Sequence, residues 1–211
     1  MPRAYHHVSH FLSMWRFIFF LWLPASFAKE LSMSKISVAR KPYIIGVMGS
    51  HRDESPAVMA DARRLGEAIA QRGYVLLTGG GPGVMRAACE GAHKAGGLVI
   101  GVLPNDKQRP LEKYPNEFVD IPIYTGMYDA RNVINAKTPH VLVALSGGAG
   151  TLSEIAIAIR SGTPVISLHA PPFTIPGDHD FIAVNTVEEA LREIEKKLEK
   201  LSRLGQDAKP A

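Results

Sequence analysis

Seven short, nearly uninterrupted apolar runs, alternating with segments of helical spacing, constrain this 211-residue chain more than any other feature. The runs are Tyr43–Met48, Tyr74–Leu77, Leu98–Leu103, Phe118–Ile123, Val141–Leu145, Pro164–Leu168 and Phe181–Val184. Helical spacing is found over Pro56–Gln71, where Val58, Ala62, Leu65, Ala68 and Ile69 recur on one face, and over Val84–Lys94, Tyr128–Ala136, the segment ending at Arg160, and Val187–Leu201. Strands that are apolar throughout need cover on both faces. The expected fold is therefore α/β: a three-layer, doubly wound, mainly parallel Rossmann-like sheet in a single domain. Ligands of such sheets bind at the carboxyl ends of the strands.

The first thirty residues are of different material. Both tryptophans and five of the eight phenylalanines lie before position 29, and Phe17–Leu23 is an apolar run behind Arg3 and Arg16. Ala25-Ser26-Phe27-Ala28 then puts small residues before a cut after Ala28, as in a secretory signal peptide. The run is too short for a membrane span. The alternative is a start assigned too far upstream, with Met33 just ahead of the first strand. The expected division is residues 1–32 as leader, 41–204 as the Rossmann-like domain and 205–211 as a loose tail. The functional protein is expected to begin near Met33 and to be cytoplasmic, with export as the alternative.

Charge argues against nucleic acid as a partner. The chain has a net charge of +4, but residues 1–41 hold six Lys or Arg and one acid, which leaves the remainder at −1. One cysteine, Cys89, excludes an internal disulfide; among alanines in a helix it reads as core. Asp178-His179-Asp180 reads as a solvated loop, with no paired metal spacing, and the charged run Glu188–Lys200 as a solvated helix face. No GxSxG elbow and no GxxxxGK[ST] loop occur.

Two glycine-rich turns each join a strand to a helix. Thr78-Gly79-Gly80-Gly81-Pro82-Gly83 follows the second run, and Ser146-Gly147-Gly148-Ala149-Gly150-Thr151 follows the fifth. Glycine permits close backbone approach, and a helix N-terminus offers free N–H groups and a positive dipole end. Two such turns on one sheet edge predict a phosphate site. The expected ligand-binding residues are Gly49, Ser50, Thr78, Gly79, Gly80, Gly81, Gly83, Asn132, Gly147, Gly148, Gly150 and Thr151. His51, after the first strand, either faces the ligand or is a plain loop histidine. Thr151-Leu152-Ser153-Glu154 also fits a capping box, a role that needs no chemistry. The functional reading of Glu154 is a carboxylate beside the phosphate, stabilising charge on a ribosyl ring or activating water.

Thr78–Met85 together with Ser146–Glu154 resembles the LOG superfamily, whose hallmark is PGGxGTxxE, and the likeness runs from about Tyr43 to Leu201. Cytokinin-activating members split nucleoside 5′-monophosphates into base and ribose 5-phosphate using an Arg and the terminal Glu of the motif. The resemblance carries those roles to Arg131 and Glu154. Two departures matter: Ser146 stands where many members have Pro, and Arg131 is followed by Asn132 rather than Lys. The second is closer to the branch containing molybdenum cofactor carrier proteins and nucleotide sensors. For that branch the resemblance implies a bound phosphorylated, nucleotide-like ligand, with a molybdopterin-type cofactor as cargo and no cofactor required. Nucleoside 5′-monophosphate hydrolysis is the alternative. It further implies a homodimer or homotetramer.

Overall fold

The computed structural model describes residues 42–170, 177 and 179–207. Among these residues seven strands and five α-helices follow in the order β1 Ile44–Gly49, α1 Pro56–Gln71, β2 Val75–Thr78, α2 Val84–Lys94, β3 Val99–Leu103, β4 Ile121–Tyr124, α3 Asn132–Lys137, β5 Val141–Leu145, α4 Ala149–Ser161, β6 Val165–Leu168, β7 Phe181–Val184 and α5 Val187–Asp207. A 3-10 turn at Tyr128–Arg131 leads into α3. All strand pairs are parallel, in the order β4-β3-β2-β1-β5-β6-β7. This is the doubly wound, Rossmann-like sheet expected. The chain winds outward from β1 to β4, crosses back, and winds out the other way from β5. The order therefore reverses between β1 and β5, and ligands of such sheets lie at that reversal.

Two apolar layers sandwich the sheet. Ile45, Leu65, Leu76, Ala88, Val143 and Ile194 are among the residues buried under α1, α2 and α5. Met48, Leu77, Val102, Leu142 and Ile155 pack under α3 and α4 on the opposite face. Alternate residues along β1 and β2 thus serve opposite cores, as the two-residue strand period requires.

The boundaries of α1 and α2 are those the spacing predicts. Ser55 caps α1, its Oγ accepting the Val58 N–H, and Pro56 starts the helix where no donor is needed. Three expectations are corrected. β4 begins at Ile121, not Phe118: Asn116 Oδ1 takes the Phe118 N–H in a turn, and Phe118 and Val119 fill the core from a loop. Tyr128–Ala136 is a 3-10 turn followed by α3, not one helix. α5 runs through Asp207, three residues into the segment expected to be loose. Among the described residues no helix is long and apolar enough to cross a membrane. The leader expected over 1–32 and the end of the tail lie outside the described residues.

Candidate functional site

A cleft of about 540 Å³ opens at the β1–β5 reversal. Gly49, Ser50, His51, Arg52 and Glu54 line it from the end of β1. Gly147 to Thr151 and Glu154 line it from the end of β5 and the start of α4, and Asp129, Arg131 and Asn132 from the segment before β5. Met85 and Tyr114 complete the wall.

The second glycine turn borders the cleft directly. Gly147 has φ +114, which excludes other residues, and its missing Cβ makes room for Thr151 Oγ1. Gly148 is the N-cap of α4 and supplies no capping side chain. The first intrahelical bond runs from Leu152 N–H to the Gly148 carbonyl, so the Ala149, Gly150 and Thr151 amides have no protein acceptor. A Cβ on Gly148 would meet nothing within 4 Å. This glycine therefore borders open cleft rather than protein.

The capping box that the Thr151–Glu154 spacing also allows does not form. α4 begins three residues earlier than such a box requires, at Ala149, so both lie inside the helix and Glu154 is in its second turn. From there the carboxylate points at the cleft, 7% exposed, and its Oε1 accepts a 2.7 Å hydrogen bond from Asn135 Nδ2. Burial pushes the Glu154 carboxyl above the usual carboxylate range, against the opposing pull of Asn135 and Arg131. Arg131 Nη1 lies 3.6 Å from Glu154 Oε1, an ion pair too long for a hydrogen bond. The Arg131 side chain is only 11% exposed, yet its Nε and Nη1 have no hydrogen-bond partner. Buried guanidinium donors are rarely left so. Asn132 Nδ2 donates to Ser153 Oγ, which donates in turn to the Gly150 carbonyl, bracing the turn.

The first glycine turn has a different place. It follows β2, one strand away from the reversal, and Thr78, Gly79, Gly80, Gly81 and Gly83 do not line the cleft. Thr78 Oγ1 accepts the Gly80 N–H and sits 3.3 Å from Cys89 Sγ. Asn116 holds the Gly80 and Gly81 carbonyls through its backbone and side-chain amides. Gly80 packs on Leu103, Gly81 under Tyr114 and Gly83 against Arg52. At Gly79 a Cβ would lie 2.3 Å from Arg131 Nη1 and 2.9 Å from Nη2. The glycine is required because the guanidinium rests on it. The two turns thus cooperate, one as floor for Arg131 and the other as wall of the cleft.

Of the residues singled out in the sequence, Gly49, Ser50, Arg131, Asn132, Gly147, Gly148, Gly150, Thr151 and Glu154 meet at the cleft, and His51 joins them. Arg52, Glu54, Met85, Tyr114, Asp129 and Asn135 escaped the sequence reading. Position after the first strand was a signal for Arg52 and Glu54; nothing local marked Tyr114.

Comparison with known proteins agrees with this fold. Residues 42–205 match the family model described as the SLOG cluster4 family. A solved molybdenum cofactor binding protein from Rippkaea orientalis superposes with a TM-score of 0.69 at 36% identity, covering 76% of this chain and 99% of that one. The molybdenum cofactor carrier protein of Chlamydomonas reinhardtii gives 0.66 at 38% identity, covering 75% and 99%. The probable cytokinin riboside 5′-monophosphate phosphoribohydrolase LOGL5 of Oryza sativa is 32% identical over 108 residues, which is 51% of this chain and 43% of that protein. On these matches the chain belongs to the SLOG cluster4 family, in the LOG-like group that also holds the molybdenum cofactor carriers.

Proposed function

We propose that the chain binds a phosphorylated pterin- or nucleotide-like molecule, of the molybdenum cofactor type, and acts as a binding or carrier protein. The observation that carries this reading is the buried, partly unpartnered Arg131 guanidinium lining the same cleft as three free amides of α4. A phosphate seated over those amides would complete their hydrogen bonds and those of Arg131 together. Gly148 leaves the approach clear. The full-length likeness to molybdenum cofactor proteins, against a half-length likeness to phosphoribohydrolases, favours binding over turnover.

Hydrolysis of a nucleoside 5′-monophosphate is the second reading, favoured by one observation: Glu154 faces the same cleft next to Arg131. An ionised carboxylate there would stabilise an oxocarbenium-like ribose. Mass spectrometry of ligand co-purified with the protein, followed by a nucleoside monophosphate panel assayed for free base, tests both. A bound pterin phosphate and no base release are expected. Base release at enzymatic rates would replace the carrier reading by the hydrolase.

A further inference from the structure

The cleft has one buried cation and, once an anion enters, two claims on it. Arg131 and Glu154 are the two charged residues that lie buried among the described ones. Arg131 already faces a carboxylate, its Nη1 3.6 Å from Glu154 Oε1. A phosphate over the Ala149, Gly150 and Thr151 amides would draw on the same guanidinium, through the Nε and Nη1 donors that have no partner. Glu154 follows Thr151 by three residues on α4, about 4.5 Å further along the axis. Two anions would then stand within roughly one helical turn of each other, and like charges so close disfavour joint ionisation.

The neighbouring groups do not relieve this. His51, Arg52 and Asp129 line the cleft but are exposed, and Glu54 is half-buried, so water screens them. Tyr114 interacts electrostatically with both Arg131 and Glu154, but burial pushes its phenol above the ordinary range and keeps it neutral. From α3 the carboxylate meets only an amide. Asn135 is fully buried; its Nδ2 donates to Glu154 Oε1 at 2.7 Å, while its Oδ1 has no partner. Turned over, the same amide would offer Oδ1 to the O–H of a protonated carboxyl. Glu154 can therefore gain a proton without losing its buried partner.

We propose that the cleft binds its anion together with a proton, taken from water onto the Glu154 carboxyl. The proposal rests on the anion seat of the proposed function and adds its regulation. Burial already holds this carboxyl above the usual range, and a second anion on the same guanidinium raises it further. Below the free value the group is neutral before binding, and affinity is greatest. Between the free and bound values one proton enters with the ligand, and affinity falls as pH rises. Above the bound value the carboxylate stays ionised beside the anion, and affinity is lowest. By reciprocity, protons strengthen anion binding as much as the anion strengthens protonation.

Calorimetry with inorganic phosphate and with adenosine 5′-monophosphate, from about pH 5 to about pH 9 in buffers of different ionisation enthalpy, counts the protons. The full chain is compared with Glu154→Gln. The wild type should take up more protons than the variant, and its affinity should fall across that span at least about tenfold more than the variant's. Ionisation of the ligand itself and of His51 acts in both proteins and cancels in the comparison. Carbon NMR of labelled glutamate carboxyls, in the wild type alone, should show the Glu154 midpoint rising when phosphate is added. That titration decides the matter if circular dichroism shows the variant unfolded. Equal proton counts in the two proteins, or a Glu154 midpoint indifferent to phosphate, would overturn the proposal and leave the anion seat standing. Failure of both probes to bind at any pH would remove the seat and the proposal with it.

Discussion

Gly79→Ala isolates the idea that the first glycine turn exists to seat Arg131. The backbone at Gly79 is not left-handed, so alanine strains nothing there. The added Cβ would lie 2.3 Å from Arg131 Nη1, about 1.1 Å inside ordinary van der Waals contact at 3.4 Å. It would also crowd Nη2 and Met85 Sδ, each at 2.9 Å. The guanidinium is the end of a flexible side chain, so it moves before the strand does. Overpacking of this kind costs roughly 1–3 kcal/mol of stability, within what a domain of this size tolerates. A shift of about an ångström is enough to break a hydrogen bond of ordinary length. Losing one or more bonds between Arg131 and a phosphate costs about 1.5–3 kcal/mol, roughly a ten- to hundredfold weaker dissociation constant. Titration calorimetry with adenosine 5′-monophosphate and with a pterin phosphate, plus thermal melts, measures both effects. Wild-type affinity in a folded Gly79→Ala protein would refute the seat.

The remaining expectations concern the second turn and Glu154. Gly148→Val puts a branched side chain into open cleft rather than into protein, so calorimetry should show lost binding while the melting temperature changes little. Ser146 has φ +59 and its N–H bonds the Leu168 carbonyl at 3.1 Å. Ser146→Pro, the residue many LOG-like chains carry, can adopt neither that φ nor that bond, and should lose at least about 2 kcal/mol in urea unfolding. Ser146→Gly should be neutral or gain up to about 1 kcal/mol in the same assay. Glu154→Gln keeps an acceptor for Asn135 and should still bind; if the protein hydrolyses nucleotides, base release should nearly vanish. Its stability should also show a pH signature. Because the folded carboxyl titrates above 4.5, the folded state holds the proton more tightly, and that stabilisation is complete below 4.5 and is lost as pH rises through the folded value. Melting curves should therefore show the wild type losing ground to Glu154→Gln from about pH 4.5 upward, and a gap independent of pH would contradict the burial account.

The alternation of apolar runs and amphipathic helices made the sheet legible, because fully apolar strands leave few other ways to be covered. The helices with sharp signals, Pro56 after Ser55 and Gly83 before Val84, fell where the spacing put them. What misled was chemistry read without topology. Glu154 matched a capping box in spacing, yet glycine at position 148 starts the helix earlier and turns the same carboxylate toward the cleft. The two glycine turns look alike in sequence. Only the strand order shows that one flanks the reversal and the other stands a strand away, where glycine is needed for packing. Tyr114 was out of reach because it comes to the cleft wall from a polar loop with no periodicity.

The path between β4 and β5 has a mechanical meaning. After winding out to one edge, the chain travels back over the sheet to begin the other half beside β1, and Arg131 rides on that return. Its guanidinium leans on the end of β2 in the first half, while the free amides and Glu154 belong to α4 in the second. A ligand held by both would act as a further rivet between halves already joined by the return segment, the β1–β5 ladder and the packing of α1 against α5. Loading the cleft should therefore slow hydrogen exchange in β2 and α4 together, two elements that share no strand pairing, and make the two windings of the sheet open as one.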